Sequence, residues 1–146
     1  MNEMISSSPE ETESLAAQWS AGLDQGIVVL LNGDLGAGKT CFSRGFLSGR
    51  GGKPEDVSSP SFALVNEYRT PAGKIYHWDL YRLEAHMDWS VLDLEEHLGD
   101  AKAFTLIEWP ERHPDLKPTQ SHTVHIEAIN ETQRNIRISE NLASWR

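Results

Sequence analysis

With 146 residues and a formal net charge of −9, this chain is long enough for one domain with a real core, and too acidic to draw its affinity from neutralising nucleic-acid phosphates. Its 38% apolar and 24% charged residues are ordinary for a soluble globule, and no apolar run approaches the ~20 residues of a bilayer-spanning helix. The single cysteine, Cys41, excludes an intrachain disulfide and every multi-cysteine zinc site.

Residues 1–10 carry neither a basic segment nor an apolar one, so no signal peptide is expected and the cytoplasm is the expected compartment. Residues 10–24 place Leu15, Ala16, Trp19 and Leu23 on one helical face, with acids in the first turn and Gly22 and Gly26 about the end. The apolar run 27–31 predicts a buried strand, 33–40 a glycine-rich loop and 41–47 a helix. A loop is expected over 49–56. The next strand, 61–69, sets Phe62, Leu64 and Tyr68 on one face and Ala63 and Val65 on the other. A turn at 70–73 returns the chain along a strand over 74–80. Residues 88–98 predict a helix with Trp89, Leu92 and Leu98 inward and Gly99 past its end. A buried strand follows over 103–107 and ends at Glu108, and strands over 122–129 and 134–139 form a second hairpin. No repeat or linker divides the chain. The expectation is a single α/β domain over 1–146 with a central sheet, part parallel and part antiparallel, flanked by helices.

The loop between the first strand and the second helix has the sequence GDLGAGKT and matches GxxxxGK[ST], the P-loop or Walker A pattern. Gly33, Gly36 and Gly38 let the backbone wrap a phosphate chain with its N–H groups inward, together with Ala37. Lys39 can reach the β- and γ-phosphates, and the Thr40 hydroxyl can take a place on Mg²⁺. A bound nucleoside triphosphate with magnesium is therefore expected. Cys41 sits just inside the following helix, where a small packed residue is the plainer reading and a reactive thiol the other.

Such a site needs a carboxylate near the metal. Residues 104–108 are four largely apolar residues ending in Glu108, the usual form of that second motif. Residues 75–79 end in Asp79 but have a polar interior, which makes them the weaker rival. Both acids can serve, one on the metal and one orienting a water, or either can be a plain exposed strand end. His77 has the chemistry of a general base, although the six histidines show no metal-ligand spacing and a hydrogen-bonded structural role is the simpler account. Trp109 can stack on a base, meet a partner or pack in the core. Arg82 can pair with phosphate or with an acid such as Glu84. Arg44, Arg50 and Lys53 gather on or after the second helix, and three charges usually mark a solvated face.

Taken together, the chain resembles the TsaE (YjeE) family of small bacterial ATPases of tRNA threonylcarbamoyladenosine synthesis. Four blocks carry the likeness in order, GDLGAGKT at 33–40, SSPSFALVNEY at 58–68, HWDLYRL at 77–83 and IEWPER at 107–112, within a match over residues 12 to about 138. Ser61 stands where the family usually has Thr, Trp78 where Phe is usual, and Cys41 where a second Thr often follows the loop. The resemblance implies a P-loop fold with a mixed sheet, ATP and Mg²⁺ as ligands, and slow hydrolysis dependent on two pathway partners, TsaD- and TsaB-like. Those partners would transfer the threonylcarbamoyl group to the adenosine beside the anticodon, and tRNA would be met through them. By position, Thr40 and Glu108 are the implied magnesium residues, residues 36–41 the phosphate contacts and Asp79 an acid needed for activity. Lys39 completes the implied catalytic set. Residues 58–61 resemble a switch loop responsive to the γ-phosphate, and the adenine is placed between Thr12 and Gln133. A small metabolite kinase and a non-catalytic ATP-binding regulator are the rival readings. The first would need an arginine-bearing lid and an acceptor pocket, for which the chain has few basic residues and little length.

Overall fold

The computed structural model describes residues 2–23, 26–34, 36–57, 65–80, 98, 100, 102–112 and 121–141. Residues 58–64, Tyr81, Arg82 and all of the expected 88–98 helix except Leu98 lie outside them. So do the implied switch loop and the first half of the expected 61–69 strand.

The first strand, β1 (Asn2–Ser6), was not expected from the sequence. Helix α1 (Pro9–Ala21) follows. Its start is fixed by Ser8, whose hydroxyl accepts from the Glu11 amide at 3.0 Å, while the Glu11 carboxylate accepts from the Ser7 amide at 3.1 Å. These reciprocal bonds satisfy donors that the helix itself leaves open, and Pro9 in the first turn loses nothing by lacking an N–H. Next come β2 (Val28–Asn32) and α2 (Lys39–Gly49). The expected 49–56 loop is partly ordered, since α2 runs through Gly49 and a 3₁₀ turn spans Pro54–Asp56. Strands β3 (Val65–Thr70) and β4 (Gly73–Asp79) make the first hairpin. Strand β5 (Ala103–Glu108) is buried throughout, and β6 (Ser121–Ala128) and β7 (Arg134–Asn141) make the second hairpin.

The seven strands among the described residues form one sheet in the order β1-β7-β6-β2-β5-β4-β3. Strands β6, β2, β5 and β4 are parallel neighbours, whereas β3, β7 and β1 pair antiparallel at the two sides. The mixed character expected from the two hairpins is thus present.

The sheet has an apolar cluster on each face. One gathers Val29, Leu31, Phe104, Leu106 and Val124 with Phe42 and Phe46 of α2 and Ala16 of α1. The other gathers Val28, Leu30, Trp78 and Ile107, with Leu98 and Trp109 packed against it. That division follows the period-2 alternation of strands whose two faces are both covered. Helices α1 and α2 pack backbone to backbone at Gly45, where a Cβ would lie 2.0 Å from the Glu13 carbonyl oxygen. Only glycine permits that approach. Arg50 locks the far end of the pair by donating to the carbonyls of Ser20 at 3.0 Å and Leu23 at 2.9 Å. No described helix is long and apolar enough to cross a membrane.

Candidate nucleotide site

The glycine loop leaves β2 at its carboxyl end, between the ends of β5 and β6, where open α/β sheets hold their ligands. Gly36 has φ +79° and Gly38 φ +116°, a region open to glycine and strained for other residues. Gly38 caps α2 without a side-chain hydrogen bond. Amides at the positive end of a helix dipole favour an anion.

Lys39 opens the helix and is only 6% exposed. Its Nζ is buried without a hydrogen-bond partner among the described residues and lies 3.7 Å from the centre of the Trp109 ring. Burial pushes the Lys39 pKa below its ordinary value, against the attraction of Glu108, Asp79, Glu111 and Asp34. An ammonium with three donors and no acceptor is an open position for an anion. Trp109 reaches the lysine from a backbone at φ +57°, left-handed and strained for so bulky a residue.

Glu108 and Asp79 stand side by side, paired in register at the ends of β5 and β4. Glu108 is 4% exposed, and its Oε2 accepts from His77 Nε2 at 2.5 Å. Asp79 is half-buried, as is Thr40, the residue after Lys39. Lys39, Glu108 and Asp79 therefore gather at one end of the sheet, with Thr40 beside Lys39 in the first turn of α2. Among the described residues no three His, Cys, Asp or Glu side chains cluster as a metal cage. That donor set suits Mg²⁺, which keeps several waters and takes one or two carboxylates plus phosphate oxygens.

The unexpected β1 brings Thr12 and the late hairpin to the same edge of the loop. Ser6 lies opposite Arg134 in the β1–β7 ladder, and its hydroxyl shares a 2.7 Å hydrogen bond with Thr12. Thr12 is itself buried, with its hydroxyl engaged by Ser6. Gln133 stands in the turn before β7, its Oε1 accepting from Asn130 at 2.8 Å. Next to it is a residue that the sequence does not single out. The Arg134 guanidinium donates to the carbonyl of Ala37 at 2.9 Å and to that of Gly36 at 3.4 Å. It also donates to the carbonyls of Asn130 at 2.7 Å and Gln133 at 2.9 Å, so the hairpin turn and the glycine loop are tied together. Beside the loop lies an open groove of about 420 Å³, lined by Asn32, Gly33, Gly36, His125, Glu127 and Arg137 among others. Cys41 is a half-buried free thiol on α2. His77 is fully buried and hydrogen-bonded on both ring nitrogens.

A strand-loop-helix of this geometry at the end of a mixed parallel sheet defines a P-loop α/β protein. Comparison with known proteins narrows the class. The model of the family "Threonylcarbamoyl adenosine biosynthesis protein TsaE" matches residues 6–136. A TsaE protein of Rickettsia bellii is 40% identical over 133 residues, covering 91% of each chain. One from Bacillus subtilis is 34% identical over 128 residues, 88% of this chain and 78% of that one. The crystal structure of Bacillus subtilis YdiB superposes with a TM-score of 0.74 at 27% identity, covering 98% of this chain and 86% of the other. The chain belongs to the TsaE family and so to the proteins of tRNA threonylcarbamoyladenosine biosynthesis.

Proposed function

We propose that this protein is a magnesium-dependent ATPase serving the tRNA threonylcarbamoyladenosine machinery as an accessory component. ATP binding and hydrolysis drive or reset a partner transferase complex, with TsaD- and TsaB-like proteins as the partners. The observation that carries this reading is the Lys39 ammonium, buried without a hydrogen-bond partner among the described residues beneath a glycine loop, with two strand-end acids beside it. A triphosphate supplies the acceptors that this ammonium lacks. The N-terminal amides of α2 take the remaining phosphate oxygens. Thr40 and Glu108 would hold Mg²⁺, which neutralises charge developing on the phosphates during transfer. Asp79, beside Glu108 in the strand register, would orient the attacking water or take part of the metal shell. The net charge of −9 leaves tRNA contact to the partners.

The test is a magnesium titration of ATP turnover by the wild type and two variants, with and without the partner proteins. Glu108→Ala should lose the metal response and keep part of its nucleotide affinity, because the backbone cradle survives. Asp79→Ala should lose turnover with a smaller change in metal affinity. Wild-type turnover in Glu108→Ala, with the metal response lost only in Asp79→Ala, would exchange the two roles. Tight ATP binding with no turnover under any condition would make the protein a nucleotide-gated regulator.

A further inference from the structure

A line of polar side chains crosses three strands beneath the proposed magnesium site, within an otherwise apolar layer. Tyr68 on β3 is 8% exposed, His77 on β4 is 0% exposed and Glu108 on β5 is 4% exposed. The register places Asn66 opposite His77 and Asp79 opposite Glu108, so Tyr68, His77 and Glu108 follow a diagonal on one face of the sheet. That face is the one packed against α2, and Ile75, Phe104 and Leu106 surround the line within its cluster.

The hydrogen bonds of this line have a direction. A carboxylate only accepts, so His77 Nε2 carries the proton toward Glu108 Oε2 at 2.5 Å. In the neutral ring Nδ1 is then an acceptor, and the Tyr68 hydroxyl, 3.1 Å away, donates to it. Asn66 Nδ2 in turn donates toward the Tyr68 oxygen at a long 3.5 Å. Each donor fixes the next, and the last fixes one oxygen of Glu108. The other oxygen is left for the metal. A strand-end glutamate has three rotatable bonds, and unrestrained it would lose several rotamers on meeting a metal ion.

We infer that His77 and Tyr68 are positioning residues for Glu108. His77 holds the carboxylate in one orientation, and Tyr68 anchors the His77 ring from its other side by donating to Nδ1. This rests on the reading of Glu108 as the magnesium acid. Partners of this outer kind carry 10- to 100-fold of metal affinity where they have been removed from other sites.

The experiment compares binding of a non-hydrolysable ATP analogue by calorimetry, with Mg²⁺ and with EDTA, in the wild type and four variants. His77→Leu removes the donor and Tyr68→Phe removes the second anchor of the ring. His77→Gln can place an amide nitrogen near the Nε2 position and so restores a donor. Glu108→Gln tests the acid itself. The expected result is a roughly 10-fold or greater loss of the magnesium-dependent part of affinity in His77→Leu, with binding in EDTA unchanged. Tyr68→Phe should lose less, and His77→Gln should recover most of the loss. A nitrogen-15 histidine spectrum of the wild-type protein should show His77 as the Nε2–H tautomer, and Tyr68→Phe should keep it, because the Glu108 carboxylate accepts only from Nε2–H. This wild-type readout needs no variant to fold. Wild-type magnesium dependence in His77→Leu, or an Nδ1–H tautomer in the wild type, overturns the inference. Unchanged magnesium dependence in Glu108→Gln overturns the metal role of Glu108 itself, and positioning falls with it. Loss in Glu108→Gln without loss in His77→Leu overturns positioning alone.

Discussion

Replacing Lys39 with methionine should make the nucleotide-free protein more stable while removing its response to ATP. Methionine keeps the unbranched stem and nearly the same volume, so little is expected from packing change. What disappears is a buried ammonium that has no hydrogen-bond partner among the described residues. An unsatisfied buried polar group costs about 1–3 kcal/mol. The Trp109 ring at 3.7 Å returns part of this, about 0.5–2 kcal/mol for a desolvated cation over indole. The attraction of Glu108 and Asp79 opposes burial as well, yet the Lys39 pKa is still lowered, so the folded environment disfavours the charge on balance. The sign follows from that direction. A lysine whose pKa falls on folding weakens the fold wherever it is charged, and the penalty lifts as pH rises past its folded value. The net gain for Lys39→Met at neutral pH should be about 1 kcal/mol, or about 2–4 °C in Tm for a chain of this size. Saturating MgATP should add about 2.7 kcal/mol to the wild type at a hundredfold excess over Kd, and nothing to the variant. Urea unfolding followed by circular dichroism, with and without nucleotide, measures both effects. A variant less stable than the wild type without nucleotide, or equally stabilised by ATP, would refute this account of the buried charge.

Three further perturbations test other parts of the structure. Gly45→Val drives a side chain into the Glu13 carbonyl oxygen, 2.0 Å from the first added carbon, and should cost about 2–3 kcal/mol in urea unfolding. A change under about 0.5 kcal/mol would mean that the helices do not approach so closely. Arg134→Ala removes the charge-assisted bond to Ala37 and should weaken ATP binding about tenfold by calorimetry, with Arg134→Lys giving partial recovery at best. Unchanged affinity would show that the loop holds its shape alone. His122 faces Trp19 with ring centres 5.4 Å apart, and burial lowers its pKa against the opposing pull of Glu140. The unfolded chain therefore takes up this proton first as pH falls from about 6.5, and stability drops from there until the lowered folded pKa is passed. His122→Asn should flatten the urea midpoint across that window, and a slope as steep as in the wild type would exclude His122 as its source.

Much of the framework was legible because the signals are local. The IVVLL run, the GDLGAGKT loop and the amphipathic helix around Trp19 each state their structure within a dozen residues. The acid ending an apolar strand marked Glu108, and the two hairpins foretold the mixed sheet. Boundaries shifted where a cap or a close packing decided them, as at Ser8 and at Gly49.

What the sequence by itself determined was most of the described elements, α1, α2 and the strands from β2 to β7, and the GxxxxGK[ST] pattern between β2 and α2. The tertiary structure alone decided their partnerships. Asn2–Ser6 is five mostly polar residues whose strand character comes from pairing with a segment at the other end of the chain. Propensity carries no sign of that, because strand stability lies in cross-strand neighbours. Arg134 looks like any surface arginine until the β6–β7 turn lies against the glycine loop. His77 looks like a scattered histidine until strand register sets it between Tyr68 and Glu108. Lys39 and Trp109 are 70 positions apart in sequence, yet the parallel pairing of β2 with β5 brings ammonium and indole to 3.7 Å. Local pattern fixes what most segments become, whereas only the assembled sheet makes Asn2–Ser6 a strand and fixes which side chains face one another.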